Sequence, residues 1–491
     1  MANITQKDHR FPPRYGPEWG SGGIFGLKYF KSTLFFNLAF EGEAHFLDEE
    51  GEIIYKYGLV GPEPVSGGDT YNAVDVVDDF IYFGGWVHAP AKYIKKGERK
   101  TISFTNKYSH VHQFDTKEKQ VKLVWKETIN SETDWTGEVS NIVYNPVDDN
   151  LLLSRADGHT NLGVYSLDRR TGVISQLSSD PSVKGTLFLD SVCFDISSIG
   201  DFRGIQHVDL QTNNWSKIRI NDMKKISIDK GDVIKPFVGA MASAYAQLFT
   251  FIKGGVVIGN PLDGTEDSIQ FIRLFDFVLS GYSPSRTTAI PVGGGILTSF
   301  NAFTHGLVNP MNEEEKKAME AGNTIIGPSV LVYITPPIAR IVGVFGARIT
   351  SIENCFKKIL LGTSTTANLG MFNATPIDAG YREIIAIDEG ILSAPSPPTY
   401  YSIPGHRVLN QTWGGIPLFG YKDPKFRIKS SKTNRVHIFE YDLGIPIQPP
   451  EETTYELHEG INILDLNGFN RIVSFKFDEE DLKSMIYISL I

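Results

Sequence analysis

One short unit recurs along the chain: alternating apolar residues, an Asp, a polar turn, then a second alternating strand. It reads Ala44-His45-Phe46-Leu47-Asp48 before a strand at 52–56, and Val111-His112-Gln113-Phe114-Asp115 before one at 120–125. It returns at Val164-Tyr165-Ser166-Leu167-Asp168 and at Ile205-Gln206-His207-Val208-Asp209, with weaker copies ending at Asp276, Asp442 and Asp478. Period-2 alternation means a strand with one buried face. An Asp at the strand exit can accept backbone N–H groups two residues on and so fix the turn into the next strand. Each copy is therefore a β-hairpin.

A second repeat precedes the first. GGDTYNAVDVVDDFIYFGG (67–85) and GEVSNIVYNPVDDNLLLSR (137–155) share one layout, Gly185 to Cys193 begins a third copy, and Asn161-Leu162-Gly163 matches Asn368-Leu369-Gly370. Two apolar strands followed by a more polar hairpin, at a spacing of roughly 40–65 residues, describe the blade of a β-propeller. The expected fold is all-β, a propeller of seven blades (six as the alternative) with one helical insertion. The expected division is an N-terminal arm at 1–23, blades one to five at 24–290, an insertion at 291–346 and the remaining blades with ring-closing strands at 347–491. The insertion carries a helix at Glu313–Ala321, between Asn312 and Gly322. A separate C-terminal β-domain from about residue 400 is the alternative.

Composition narrows the function classes. Forty-seven Lys+Arg against 57 Asp+Glu leave a net charge of −10, which argues against a nucleic-acid coat and gives the expectation of no nucleic-acid partner. Residues 1–20 lack an apolar signal core, and the apolar stretch 329–344 is broken by Pro336-Pro337 and Arg340, so no membrane span is expected. A cytoplasmic protein is expected. Cys193 and Cys355 lie in apolar strand-like runs and read as buried free thiols.

The segments GGDTYNAVDVVDDFIYFGGWVHAP and VYNPVDDNLLLSRADGHTNLGVYSLD resemble an uncharacterised archaeal (crenarchaeal) family of unknown function with a propeller-like fold. The resemblance covers most of the chain, implies blades, and carries over no functional residue.

Ligand sites of propellers lie at a mouth to which every blade contributes loops. The repeats place Asp69 and Glu138 at first-strand entrances and Asp190 a little inside, with Trp86, His88, Arg155, Asp157 and His159 at the ends of second strands. These are the ligand-binding candidates. Such a set could hold a sugar, or a divalent metal plus an oxyanion. Each also has a plainer role: Asp69 and Glu138 can cap turns, Asp157-Gly158 is a hairpin dipeptide, and Trp86 can pack between blades. His88 and His159 lack an identifiable third metal ligand. His110, His112 and His207 read as exposed. No cofactor is implied. Asp69, Glu138 and Asp190 could form a carboxylate set for glycoside chemistry, but no Ser-nucleophile elbow or P-loop is present. Two readings follow. One is a non-enzymatic propeller that binds a protein, a glycan or another copy of itself through its rim or insertion. The other is a carbohydrate- or small-metabolite-acting enzyme built on the mouth carboxylates and His88/His159.

Overall fold

The computed structural model describes residues 9–11, 23–39, 42–63, 65–69, 72–90, 92–96, 99–103, 107–129, 136–158, 161–198, 201–221, 223–229, 231, 238–278, 282–284, 286–302, 327–364 and 382–491. They are almost wholly β. Eight four-stranded antiparallel sheets, one five-stranded sheet and one two-stranded hairpin account for the strands. The chain divides into two compact units. The first is Met1–Arg219, Arg286–Thr288 and Thr350–Asp388; the second is Ile220–Ser285, Ala289–Ile349 and Glu389–Ile491.

In the first unit, the sheets at 24–55, 66–129, 136–178 and 185–219 pair their strands in sequence order. A further sheet combines Arg348–Cys355, Lys358–Ser364 and Arg382–Asp388 with His9–Phe11 as its outermost strand. The expected N-terminal arm thus contributes a strand that completes a sheet more than 330 residues along the chain.

The repeated Asp has one geometry in four sheets. Asp48 accepts the amides of Glu50 and Gly51 at 2.8 and 3.1 Å. Asp115 accepts those of Lys117 and Glu118 at 2.8 and 3.0 Å. Asp168 accepts those of Arg170 and Thr171, both at 2.9 Å, and Asp209 those of Gln211 and Thr212 at 3.0 and 2.8 Å. The amide four residues on closes back to the Asp carbonyl at Lys119, Gly172 and Asn213, all three with positive φ. These N–H bonds hold the carboxyls of Asp168 and Asp209 below the usual Asp value.

Asn161-Leu162-Gly163 is a tether between sheets. The Asn161 side chain accepts the amides of Gly163 (3.0 Å) and Ser182 (3.3 Å) and donates to the Ser197 carbonyl at 3.2 Å. Gly163 has φ +88°, and a Cβ there would lie 2.2 Å from the Ser178 carbonyl oxygen. Gly163→Ala is expected to destabilise the first unit by about 2–3 kcal/mol, from left-handed strain and overlap with backbone; chemical denaturation measures it. The matching Asn368-Leu369-Gly370 lies outside the described residues.

In the second unit, sheets at 238–273 and 289–345 also pair in sequence order. The stretch 291–346, expected as an insertion, therefore contributes a blade-like sheet. Its apolar run folds as the hairpin Ser329–Thr335 and Ile338–Phe345, turning at Pro336-Pro337. The expected helix at 313–321 lies outside the described residues. Among the described residues no helix is long and apolar enough to cross a membrane.

From residue 399 the sequence order of pairing ends. Thr399–Pro404, Met485–Leu490, Lys425–Ser430 and Gly460–Asp465 form one sheet; Trp413–Pro417, Ile472–Phe477, Asn434–Tyr441 and Glu451–Leu457 form another. Strands expected to close a ring thus pair among themselves. Both sheets contribute to a core that includes Trp413, Phe426, Ile438, Phe475 and Ile488. Cys193 and Cys355 are buried free thiols.

Candidate functional site

Of the sequence-selected residues whose side chains are described, Trp86 lies against His88 and Asp190 is exposed in a turn. Asp69 and Asp157 are described as backbone positions of Ser66–Asp69 and Asn150–Gly158, Asp69 in register with Trp86. His159 lies outside the described residues. Trp86 and His88 are buried, their rings edge to face at 4.6 Å. Burial, aided by the charge of Lys107, pushes His88 down to about 3, so its imidazole is neutral at physiological pH. Asp190 is exposed in the turn between Gly185–Phe188 and Ser191–Ser198, after Leu189 at positive φ. That turn is the strand end away from Lys184, the residue beside Glu138. Asp190 thus sits in a two-residue reversal at the strand exit, not a little inside a first-strand entrance.

The histidines expected to be exposed are buried. His110 and His112 sit in Lys107–Asp115 with Nδ1 atoms 3.0 Å apart, and the Tyr55 hydroxyl lies 3.0 Å from His112 Nε2. Burial pushes His110 down to about 3 and His112 well below its ordinary value. The face that carries them packs on rings, His112 stacking on Phe83 at 5.3 Å. His207 is buried as well.

Glu138 belongs to a polar seam between the sheets at 136–178 and 185–219, whereas Arg155 faces the sheet at 66–129. Glu138 and Asp195 are 0% exposed and Lys184 is 5% exposed. Asp195 accepts the amides of Val183 (2.9 Å) and Lys184 (2.6 Å) and the hydroxyls of Ser182 (3.2 Å) and Ser197. Ser182 lies 2.8 Å from the Ser154 hydroxyl, and Lys184 donates its ammonium to the Ser140 carbonyl at 3.0 Å. Burial raises Asp195 to about 6 against the bonds it accepts. Burial lowers Lys184 to about 8, opposed by the charges of Glu138 and Asp195. The Arg155 guanidinium lies 4.9 Å from the ring centroids of both Trp125 and Tyr165. It donates to the Gly137 carbonyl at 3.2 Å and pairs with Glu127 at 2.5 Å.

Lys184 and Asp195 were not singled out by the sequence. The available signal was Asp195 inside the apolar run Val192-Cys193-Phe194-Asp195-Ile196: a carboxylate in a fully buried strand needs partners. Among the described residues no three His, Cys, Asp or Glu side chains could hold a metal ion. An open depression of about 220 Å³ on the second unit, lined by Lys225, Ser227, Glu266, Asp267, Gln270 and Gln448 among others, contains none of the candidates.

Repeated four-stranded antiparallel sheets with Asp-locked outer hairpins define an all-β, propeller-like protein. The chain belongs to a family of uncharacterised proteins conserved in archaea (DUF2139), whose model matches residues 34–372. No curated protein sequence matches it. Among solved structures it is similar to Sqt1 of Saccharomyces cerevisiae, with 8% identity, 73% of this chain and 81% of that one covered, and a TM-score of 0.39. It is similar to a Trypanosoma rangeli sialidase, with 8% identity, coverage of 99% and 94%, and a TM-score of 0.35. It is also similar to an exo-β-1,3-galactanase of Phanerochaete chrysosporium, with 7% identity, coverage of 85% and 95%, and a TM-score of 0.30. No function passes from these to the present chain.

Proposed function

We propose that the protein is a non-catalytic, propeller-like binding or assembly protein. The observation that carries this reading is the sealing of its acid–base groups. Glu138 and Asp195 are wholly buried and Lys184 nearly so, which fits an internal seam between sheets better than a site that receives substrate. Seven sheets pair strands in sequence order or, for the sheet at 348–388, with His9–Phe11 as the added fourth strand. That count supports seven blades over six.

A second reading has one specific support. Lys184 lowered to about 8 and Asp195 raised to about 6 flank neutral pH, where general acid–base groups work best. One experiment separates the two: a panel of glycosides and small-metabolite esters offered to the wild-type protein and to Glu138→Gln. The binding reading expects no turnover that depends on Glu138. Turnover abolished in a Glu138→Gln protein that keeps its melting temperature would establish the enzyme.

A further inference from the structure

The C-terminal sheet of Thr399–Pro404, Met485–Leu490, Lys425–Ser430 and Gly460–Asp465 has two unlike faces. One is core: Tyr401, Ile403, Phe426, Ile428, Ile486 and Ile488 are all within 2% of full burial. Alternation then places Tyr400, Tyr487, Arg427, Lys429 and Ile463 on the opposite, solvent side. Tyr400 is 57% and Tyr487 43% exposed. Folding requires no aromatic ring there, since the core face already supplies the burial.

Register arranges this face. Arg427 lies between Tyr487 on one neighbouring strand and Ile463 on the other, and Lys429 lies between Met485 and Ile461. Lys425 is flanked by Ser489, itself opposite Tyr400, and by Asp465. Lys425, Arg427 and Lys429 therefore form one column, about 6.8 Å apart at two residues per step. Lys425 pairs with Asp423 at 2.7 Å. Arg427 and Lys429 have no ion pair among the described residues, and neither tyrosine ring packs on another aromatic ring there.

We propose that this face binds single-stranded nucleic acid, with phosphates along the Lys425–Arg427–Lys429 column and bases stacked on Tyr487 and Tyr400. The inference rests on the binding reading above and names its partner class. Regularly spaced cations beside exposed rings match a chain of regularly spaced anions that carries flat bases. The net charge of −10 speaks against a general coat of nucleic acid. It averages over 491 residues, however, whereas screening confines the interaction to about 10 Å.

The test is fluorescence anisotropy of the full chain with labelled oligouridylate, oligothymidylate and a duplex of the same length, with a sulfated polysaccharide as competitor. Saturable binding that prefers single strands is expected. Tyr487→Ala should weaken it about tenfold, while Tyr487→Phe should retain it. Arg427→Gln should reduce the salt slope by about 0.7. Thermal melting confirms that these surface variants fold. Absence of single-strand binding, or binding unchanged in both Tyr487→Ala and Arg427→Gln, overturns the proposal. Binding of the polysaccharide alone also overturns it but leaves the binding reading standing, whereas Glu138-dependent turnover defeats that reading itself.

Discussion

Replacing Arg273 by Met is expected to cost the second unit about 3–5 kcal/mol and to lower its melting midpoint by about 10 °C. The guanidinium is fully buried, bonds Asp229 through two nitrogens at 2.8 and 3.0 Å, and reaches Asp276 through a third. The Tyr441 hydroxyl donates to the Arg273 backbone carbonyl at 3.1 Å, fixing the strand at that point. Gly231 admits the group, because a Cβ there would lie 2.3 Å from Arg273 Nη2. Met fills comparable volume but leaves two buried carboxylates without their cation, which is the costly half of breaking a buried pair. Arg273→Lys should fall between, since an ammonium cannot reproduce the two-nitrogen contact. Thermal and denaturant unfolding of both variants measure the effect. An Arg273→Met protein as stable as wild type would show that the triad contributes nothing.

Lys184→Met is expected to cost a similar amount, about 3–5 kcal/mol, in the first unit, with a pH dependence. Without the ammonium, Glu138 and Asp195 stay buried and lose the charge that Lys184 supplies. Protonation relieves that penalty, and with the cation gone Asp195 takes up its proton at higher pH than in wild type, so the deficit should shrink as pH falls toward 6, the wild-type value. In wild type the two shifts act in opposite directions. The folded state holds the Asp195 proton to higher pH than the unfolded chain, so this contribution is present below about 4 and is lost as pH rises through 6. Lys184, lowered to about 8, binds its proton less readily when folded; its contribution is present above the ordinary Lys value and is lost as pH falls through 8. Between 6 and 8 both groups carry charge, and the seam is least favourable relative to the unfolded chain. Urea midpoints across pH 5–9 for wild type and Lys184→Met test this. A deficit independent of pH would contradict it.

What the sequence made legible is local. The Asp48, Asp115, Asp168 and Asp209 turns were readable because donor and acceptor lie within four residues of one another. The sheets at 24–55, 136–178, 185–219 and 238–273 follow, because each pairs neighbours in the chain, while the sheet at 66–129 joins Phe80–His88 to Lys107–Asp115 across a separate hairpin. The sheet at 289–345 was hidden because its second and third strands, Gly295–Phe300 and Ser329–Thr335, are separated by a long intervening segment. The C-terminal sheets were hidden for a different reason. Alternation marks Lys425–Ser430 as a strand but does not say that it pairs with Met485–Leu490 and Gly460–Asp465. The same limit explains the site. Glu138 stood out beside a glycine, but its neighbours Lys184 and Asp195 come from the next sheet. Asp190, at a matching place in the motif, turned out to occupy a tight turn.

Amine-reactive footprinting of the native protein tests the sealed seam most directly. Lys184 should remain unmodified while Lys425 and Lys429, exposed on the C-terminal sheet, react at once, and it should become reactive only on unfolding. Modification of native Lys184 at the rate of those surface lysines would reveal an open, solvent-reached amine and contradict the account.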